Sequence, residues 1–189
     1  MRINGNTYTA EVDSDERLKV NASAHNPAAI AAEKQAAYKI VISTDPGAAD
    51  ADFFYLKNTS EKNLYIHRIS LFIATGATGV THKISIKTSV TGSPTAGTSS
   101  SVVNLYAGGK AADVTAEYKA GDMALTGGNT VDVIRYEPAV TEIGPGEVVR
   151  EFDAPIILPP NTALVFNNDV DPVAVGFDMT VTFYFDDVE

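Results

Sequence analysis

From about residue 38 onward, apolar and polar residues alternate along much of the chain, which is the pattern of strands that bury one face. The clearest case is residues 173–185, in which every odd-numbered position carries valine, methionine or phenylalanine. The even-numbered positions between them are polar or small, apart from Tyr184. Because the side chains of a strand alternate between its faces, we predict a strand here whose odd-numbered residues lie together in the core.

Eight further segments have a similar character, and turn signals rich in glycine, proline and asparagine separate most of them. In residues 63–74, the odd-numbered positions from Tyr65 to Ile73 are expected on one side of the strand. Many short strands without alternating helices indicate an all-β protein, an antiparallel β-sandwich. In addition to 173–185, the predicted strands are 38–43, 53–57, 63–74, 82–90, 102–106, 131–136, 148–152 and 163–166.

The N-terminal part of the chain has a different pattern. Residues 11–22 form a polar run, which predicts an extended segment without a core of its own. Asn26 is a suitable N-cap and Pro27 suits the first helical position, so the alanine-rich run after them predicts a helix from about residue 27 to 37. We therefore expect an N-terminal arm over residues 1–37, with one short helix near its end, and a β-sandwich domain over residues 38–189.

Composition narrows the partners that such a protein can have. A chain of 189 residues can bury a core without disulfides, and the absence of cysteine excludes both disulfides and cysteine-based zinc sites. The formal net charge of −10 argues against a surface that collects nucleic-acid phosphates, which needs clustered lysine and arginine. The opening residues lack the apolar run of a secretory signal, and no stretch approaches the roughly 20 apolar residues that span a bilayer. We expect a soluble protein without nucleic-acid or membrane partners.

The run Gly108-Gly109-Lys110 raises the possibility of a phosphate-binding loop. Such a loop needs a further glycine five positions before the Gly-Lys pair and a serine or threonine after the lysine. Asn104 and Ala111 occupy those two positions instead. The run is therefore predicted to be a glycine-rich turn that follows a strand, and we expect no nucleotide or other cofactor.

Candidate metal ligands and catalytic residues are scattered. His25, His67 and His82 lack the close spacing of a metal-binding pair, and His67 lies on an apolar strand face, which favours a core or interface role. Asp169 and Asp171 resemble the opening of a calcium loop, but the later ligands do not follow in order, so a turn is favoured. A Ser-His-Asp triad has no sequence spacing of its own and stays open, although no nucleophile-elbow motif indicates one. We expect no metal site and no enzymatic activity.

Four segments carry a resemblance to a known group of proteins. They are V-D-S-D-E-R-L-K-V at 12–20, F-Y-L-K-N-T-S-E-K-N-L-Y-I at 54–66, G-S-P-T-A-G-T-S-S-S-V-V-N-L-Y-A-G-G-K-A-A-D at 92–113, and I-I-L-P-P-N-T-A-L-V-F at 156–166. With them the chain resembles tailed-bacteriophage virion proteins that have a polar N-terminal arm followed by a jelly-roll-like β-sandwich. The likeness is one of architecture and turn chemistry, since none of the segments is a catalytic motif.

The resemblance implies a structural component of a phage particle, a head decoration or cement protein that binds and bridges major capsid subunits. It also implies a homo-oligomer, with a trimer favoured, that assembles in the host cytoplasm and resides in the virion. Two alternatives stay open: a tail, neck or fibre accessory protein, and a carbohydrate-binding sandwich that recognises a host glycan. For the glycan alternative, the tyrosines that could stack on sugars are Tyr65, Tyr106, Tyr118, Tyr136 and Tyr184.

The same resemblance implies that the arm lies along a neighbouring subunit and that the sandwich stands on the capsid lattice or packs about a symmetry axis. On the arm, the residues expected at a subunit interface are Arg17, Leu18, Val20 and Ile30. On the sandwich, they are Tyr38 and Lys110. Major capsid protein or other virion proteins are the expected partners.

Overall fold

The computed structural model of the chain describes residues 2–5, 8–12, 18–22, 31–32, 34–46, 50–75, 82–136, 147–169 and 176–185. This part is all-β: two antiparallel sheets enclose a large hydrophobic core, and a third, separate sheet lies near the N-terminus of the sequence. The prediction of an all-β sandwich is confirmed. The strands are β1 (Arg2–Gly5), β2 (Tyr8–Val12), β3 (Leu18–Ala22), β4 (Ala37–Thr44), β5 (Ala51–Asn58), β6 (Leu64–Thr75), β7 (His82–Thr91), β8 (Thr98–Ser99), β9 (Val102–Asn104), β10 (Val114–Tyr118), β11 (Thr126–Tyr136), β12 (Glu147–Leu158), β13 (Ala163–Asn168) and β14 (Gly176–Phe185).

The two sheets of the sandwich are built from strands that are distant in sequence. The five-stranded sheet has the order β12-β6-β14-β4-β9, and the six-stranded sheet has the order β11-β7-β13-β5-β10-β8. Along the chain, β4, β5, β6 and β7 alternate between the two sheets, and β11, β12, β13 and β14 do so again. Because these connections cross between sheets, the fold depends on pairings that no local segment can make alone.

An insertion between β7 and β11, residues 92–125, follows one edge of the sandwich. Within it, β9 pairs with β4 in the five-stranded sheet, while β10 pairs with β5 and β8 pairs with β10 in the six-stranded sheet. The sequence pattern predicts neither β8 nor β10, because β8 is exposed and β10 buries only one residue fully. Pairing to an existing sheet edge, rather than alternation, makes these two segments strands.

The core depends on β14, which lies between β6 and β4 in the five-stranded sheet. Its odd-numbered residues from Phe177 to Phe185 are buried, and the residues between them are half-buried. The predicted alternation is therefore confirmed for β14, whereas residues 173–175 lie outside the described residues. Across the sandwich, the ring of Phe177 stacks on that of Phe53 in the six-stranded sheet, with centroids 5.9 Å apart. This contact joins the two sheets.

The alternation predicted for β6 is interrupted at His67, one of two places where its pairing with β14 shifts register. In the pairing of β6 with β14, the register shifts between Ile66 and Arg68, which leaves His67 unmatched. An extra residue in one strand is a β-bulge, and it exchanges the faces of the residues on its two sides. Ile66 and Ile69 are consequently both buried, although they are three residues apart. The prediction that Tyr65 shares a face with Ile69 is wrong for this reason.

The helix predicted up to residue 37 ends earlier. Helical backbone is present at Ala31 and Ala32, and two hydrogen bonds then close the end: Ala36 N to Ala31 O at 2.8 Å and Gln35 N to Ala32 O at 3.1 Å. Gln35 has a positive φ of 63°, so the end is a Schellman motif in which glutamine takes the place usual for glycine. β4 begins directly afterwards, and residues 27–30 lie outside the described residues.

Three strands occur in the segment expected to be an extended arm. β1 pairs with β2 and β2 pairs with β3, both antiparallel, to form a three-stranded N-terminal sheet. None of these strands pairs with a strand of the sandwich among the described residues. By hydrogen bonding, the N-terminal sheet is thus separate from the sandwich.

Replacing Phe183 with alanine is expected to lower the free energy of unfolding by about 3–5 kcal/mol, because it removes a buried ring that stacks on Tyr38. Thr182→Ala is the matched control, since Thr182 is the preceding residue and is half-buried on the opposite face. It is expected to change the free energy by less than about 1 kcal/mol. Urea unfolding measures both values, and equal effects would contradict the placement of Phe183 in the core.

Candidate functional site

The sandwich has a cavity of about 420 Å³ at the end where the β5–β6 turn meets the loop between β9 and β10. This loop, residues 105–113, runs from the five-stranded sheet to the six-stranded sheet and contains the run Gly108-Gly109-Lys110. The glycine-rich turn is therefore a wall of the cavity. The side chains that determine its chemistry are Tyr38, Glu61, Lys62, Lys110, Asp113 and Phe185.

The side-chain amide of Asn104 holds the glycine-rich loop in place. Its Nδ2 donates to the carbonyl oxygens of Gln35 at 2.8 Å and Lys110 at 2.9 Å, and its Oδ1 accepts from the N–H of Tyr106 at 2.8 Å. Gly109 lies so close to this amide that a Cβ atom would overlap it, and Gly108 has a positive φ of 83°. Both glycines are thus explained by the shape of the turn.

A second asparagine holds the opposite wall. Asn58 is buried, and its Nδ2 donates to the carbonyl oxygens of Lys62 at 2.7 Å and Leu158 at 2.8 Å. Its Oδ1 accepts from the N–H of Ser60 at 3.0 Å, which closes the β5–β6 turn. Because both walls are held by amides with several partners, the cavity is preformed rather than dependent on a ligand.

The charges around the cavity balance one another. Lys62 and Lys110 provide two ammonium groups, and Glu61 and Asp113 provide two carboxylates. In the described part of the chain, the Lys110 ammonium forms neither a hydrogen bond nor an ion pair. Because the two carboxylates would repel a polyphosphate, this arrangement suits a neutral polar or zwitterionic group.

Residues 119–125 cover the outer face of the six-stranded sheet. Met123 is buried against Tyr55 and Val165, which explains why β5 and β13 are buried on both faces. The backbone fixes this position, because Met123 N donates to Asp52 O at 2.9 Å and Asp52 N donates to the Asp122 carboxylate at 3.1 Å. The outer face of this sheet is therefore partly a second, small core.

Beside this segment lies a polar cluster on strands β5, β7 and β13. Asn167 Nδ2 donates to the Asp52 carboxylate at 2.8 Å, while the Asp169 carboxylate accepts from Ser85 and pairs with Lys83 Nζ at 2.6 Å. Burial raises the pKa of Asp52 above its usual value. Burial acts the same way on Asp169, but the hydrogen bonds from Lys83 and Ser85 and the positive charges of Lys83 and Lys87 together outweigh it and hold the pKa of Asp169 below its usual value.

This geometry decides the role of Asp169, which the sequence placed in a possible calcium loop. Its carboxylate is engaged by a lysine and a serine of β7, and its own N–H donates to Lys83 O at 2.9 Å. Asp169 thus fastens the end of β13 to β7, whereas the turn expected after it lies outside the described residues. Asp171 lies outside the described residues.

His82, at the start of β7, is a core residue. Its ring is buried and lies edge-on to that of Phe177, with centroids 6.4 Å apart. Among the described residues, neither of its ring nitrogens has a hydrogen-bond partner. Burial lowers the pKa of His82 below its usual value, because protonation would place a charge in the core. His67 is the half-buried bulge residue of β6, and His25 lies outside the described residues.

Of the arm residues expected at a subunit interface, two are described. Leu18 and Val20 lie in β3, the outer strand of the N-terminal sheet. Arg17 and Ile30 lie outside the described residues. Sequence reasoning missed that Leu18 and Val20 belong to a sheet, although their alternation with Lys19 was a signal for it.

The two sandwich residues expected at an interface differ in exposure. Lys110 is exposed at the rim of the cavity. Tyr38 is only 6% exposed, because its ring packs against Phe183 and Phe185 in the core. Only the small part of Tyr38 that lines the cavity is left to meet another molecule.

The tyrosines considered for glycan stacking are largely engaged within the chain. Tyr65 and Tyr184 stack on each other, with ring centroids 5.2 Å apart and planes within 8°. Tyr118 is half-buried and packs against the core, whereas Tyr106 is exposed. The side chain of Tyr136 lies outside the described residues. A sugar platform of several free rings is not formed by the four described tyrosines.

Comparisons with protein-family models, with curated proteins and with solved structures give no match. Over the described residues, no three His, Cys, Asp or Glu side chains are placed to hold a metal ion. Within the same part of the chain, no helix is long and apolar enough to cross a membrane.

Asn104→Ala is expected to lower the free energy of unfolding by about 1–3 kcal/mol, because it removes three hydrogen bonds that hold the loop. Lys110→Ala is the matched change in the same loop and is expected to stay within about 0.5 kcal/mol of wild type. Denaturant unfolding gives both values.

Calorimetry with Mg-ATP and Mg-GTP should show no binding to wild type, and micromolar binding lost in Lys110→Ala would restore the phosphate-loop interpretation.

The free energy of unfolding is expected to fall as pH drops below about 6.5, because His82 in the unfolded chain binds a proton there while the buried ring does not. The decline continues down to the lowered pKa of the folded state, with a slope of up to about 1.4 kcal/mol per pH unit. The difference between wild type and His82→Leu isolates this contribution in urea unfolding. A slope that survives in His82→Leu would contradict the assignment.

Proposed function

We propose that this chain is a structural protein of a tailed-bacteriophage particle, a head decoration or cement protein that binds and bridges major capsid subunits. The observation that supports this proposal most directly is the strand order of the two sheets. Eight strands follow the orders β4-β14-β6-β12 and β5-β13-β7-β11 in the two sheets, with β8, β9 and β10 added at one edge. These orders support a jelly-roll assignment, since a jelly roll distributes eight strands of two Greek keys over two sheets. Jelly rolls are frequent in viral capsid proteins.

The positions of the resembling segments support the same proposal. Three of the four contain turns at the cavity end of the sandwich, and hydrogen bonds join these turns. Thr59 N donates to Asp113 O at 3.1 Å, and Asn161 N donates to Asn58 O at 2.9 Å. The likeness to virion proteins is thus concentrated on one continuous surface, with Lys110 at its rim. This surface is our candidate for the contact with the capsid.

In this proposal the protein acts by binding and carries out no catalysis. The N-terminal sheet supports a binding role, because it pairs with none of the described sandwich strands and provides a second, separate surface. The partners are the major capsid protein or other virion proteins, and the chain forms a homo-oligomer, as a trimer. It resides in the virion after assembly in the host cytoplasm.

The copy number in particles tests the proposal. Particles are purified from cells that carry the genome encoding this chain, and mass spectrometry measures the chain relative to the major capsid protein. A head decoration protein is expected at hundreds of copies per particle, whereas a few to a few tens would assign the chain to the tail, neck or fibre. Absence of the chain from purified particles would refute a virion function.

A further inference from the structure

The outer face of the six-stranded sheet brings a lysine, an asparagine and an aspartate together on the neighbouring strands β7, β13 and β5. Ile86 of β7 belongs to the core, so the next residue, Lys87, lies on the outer face. Asn167 of β13 is paired with Ser85, two residues before Lys87, and therefore lies on the same face. On its other side, Asn167 is paired with Asp52 of β5.

The side-chain amide of Asn167 is not explained by a structural role. Its Nδ2 donates to the Asp52 carboxylate at 2.8 Å, but its buried Oδ1 has no hydrogen-bond partner among the described residues. Asn58 and Asn104, by contrast, use both ends of their amides and hold three backbone groups each. Asn167 is thus a buried amide whose one hydrogen bond, in the described part of the chain, goes to a carboxylate.

Two lysines lie diagonally across from Asn167, because Lys83 and Lys87 are each two residues from Ser85 on β7. A diagonal neighbour in an antiparallel sheet is within reach of a long side chain. The ammonium of Lys83 pairs with Asp169 at 2.6 Å. The ammonium of Lys87 forms neither a hydrogen bond nor an ion pair with any described residue. Of the two amines, that of Lys87 is therefore available to Asn167.

Asp52 lies between this amine and the amide nitrogen of Asn167. Burial raises the pKa of Asp52 above its usual value, and the hydrogen bond from Asn167 and the positive charge of Lys87 oppose this effect without overcoming it. Because Coulomb interactions weaken with distance, the effect of Lys87 places its ammonium near the Asp52 carboxylate. A carboxyl group with a raised pKa takes up and releases protons closer to neutral pH.

The surroundings of Asp52 and Asn167 exclude water. Their residues are only 6% and 2% exposed, and the segment of residues 119–125 covers the sheet beside them. Met123 N donates to Asp52 O at 2.9 Å, which fixes that segment in place. The three groups are therefore held together in a partly dry site, and such positioning accelerates a reaction between them.

We propose that Lys87 and Asn167 become joined by an isopeptide bond, with Asp52 transferring the proton. The Lys87 ammonium transfers one proton to the Asp52 carboxylate, and the lone pair of Nζ then forms a bond to Cγ of Asn167. Asp52 returns that proton to Nδ2, the atom that it already contacts at 2.8 Å. The bond between Cγ and Nδ2 breaks with its electron pair on nitrogen, and ammonia leaves. Ammonia takes up the second proton lost from Nζ, so one ammonium ion is released and nothing is oxidised or reduced.

The bond would join β7 to β13, two strands that are adjacent in the sheet and far apart in sequence. A covalent link of this kind restricts the unfolded chain as a disulfide does, and this chain has no cysteine with which to form a disulfide. The reaction happens once in each molecule, so it does not make the protein an enzyme. The inference goes beyond the proposed function, because it concerns the chain alone and holds with or without a capsid.

Mass spectrometry of the intact, purified full chain tests the proposal. The expected mass of wild type is lower than the mass of its sequence by about 17 Da, the mass of ammonia. Trypsin locates the bond, because a lysine in an isopeptide bond is not cleaved. The expected product is the peptide of residues 84–110, uncut at Lys87 and linked to the peptide of residues 151–189.

Three variants separate this bond from other losses of ammonia. Lys87→Arg retains the positive charge but has no amine, and it is expected to show the full mass. Lys83→Arg is the matched control on the other diagonal of Asn167, and it is expected to keep the wild-type loss. Asp52→Asn is expected to show the full mass in freshly purified protein, since proton transfer of this kind accelerates reactions about 100-fold or more.

Two results would overturn the inference. A wild-type chain with the full mass of its sequence has no isopeptide bond. A loss of about 17 Da that persists in Lys87→Arg arises without this lysine, as when an asparagine cyclises onto its own backbone. Neither result bears on the copy number in particles, so failure of this inference and failure of the proposed function are separate outcomes.

Discussion

The burial of the aromatic face of β14 between the two sheets is the constraint on which the rest of the structure depends. β14 pairs with β4 on one side and with β6 on the other, so its register determines theirs. A slip of one residue would move Phe177 and Phe183 from the core to the outer face. Phe177 also stacks on Phe53 of the six-stranded sheet, which ties the register of one sheet to the position of the other.

Where the chain crosses between the two sheets, backbone N–H and C=O groups lie outside the hydrogen-bonded strand pairs. The side-chain amides of two asparagines form hydrogen bonds with several of these groups. Asn58 holds the β5–β6 turn and reaches the carbonyl of Leu158, while Asn104 holds the glycine-rich loop and reaches the carbonyl of Gln35. Each amide has both donors and an acceptor, which suits a turn where backbone groups of both kinds are left over. These two closures shape the cavity, and Lys110 lies at its rim because it belongs to the glycine-rich loop.

The site was less predictable than the fold. The turn character of Gly108 and Gly109 follows from sequence, because consecutive glycines permit backbone angles closed to other residues. The partner that requires Gly109, the amide of Asn104, is brought there by the pairing of β9 with β4. The lysines and carboxylates of the cavity come from two loops about 50 residues apart, so no local pattern places Lys62 near Lys110.

The sequence by itself determined the strands that bury one face, because burial on one side forces a period of two: β4 and β14 lie where the alternation predicts them. Only the tertiary structure decided where that period breaks. The bulge at His67 lets both halves of β6 face one core, and the turn at Gln35 stops a helix whose alanines would allow it to continue. These features depend on partners far away in the chain, and local propensity carries no information about such partners.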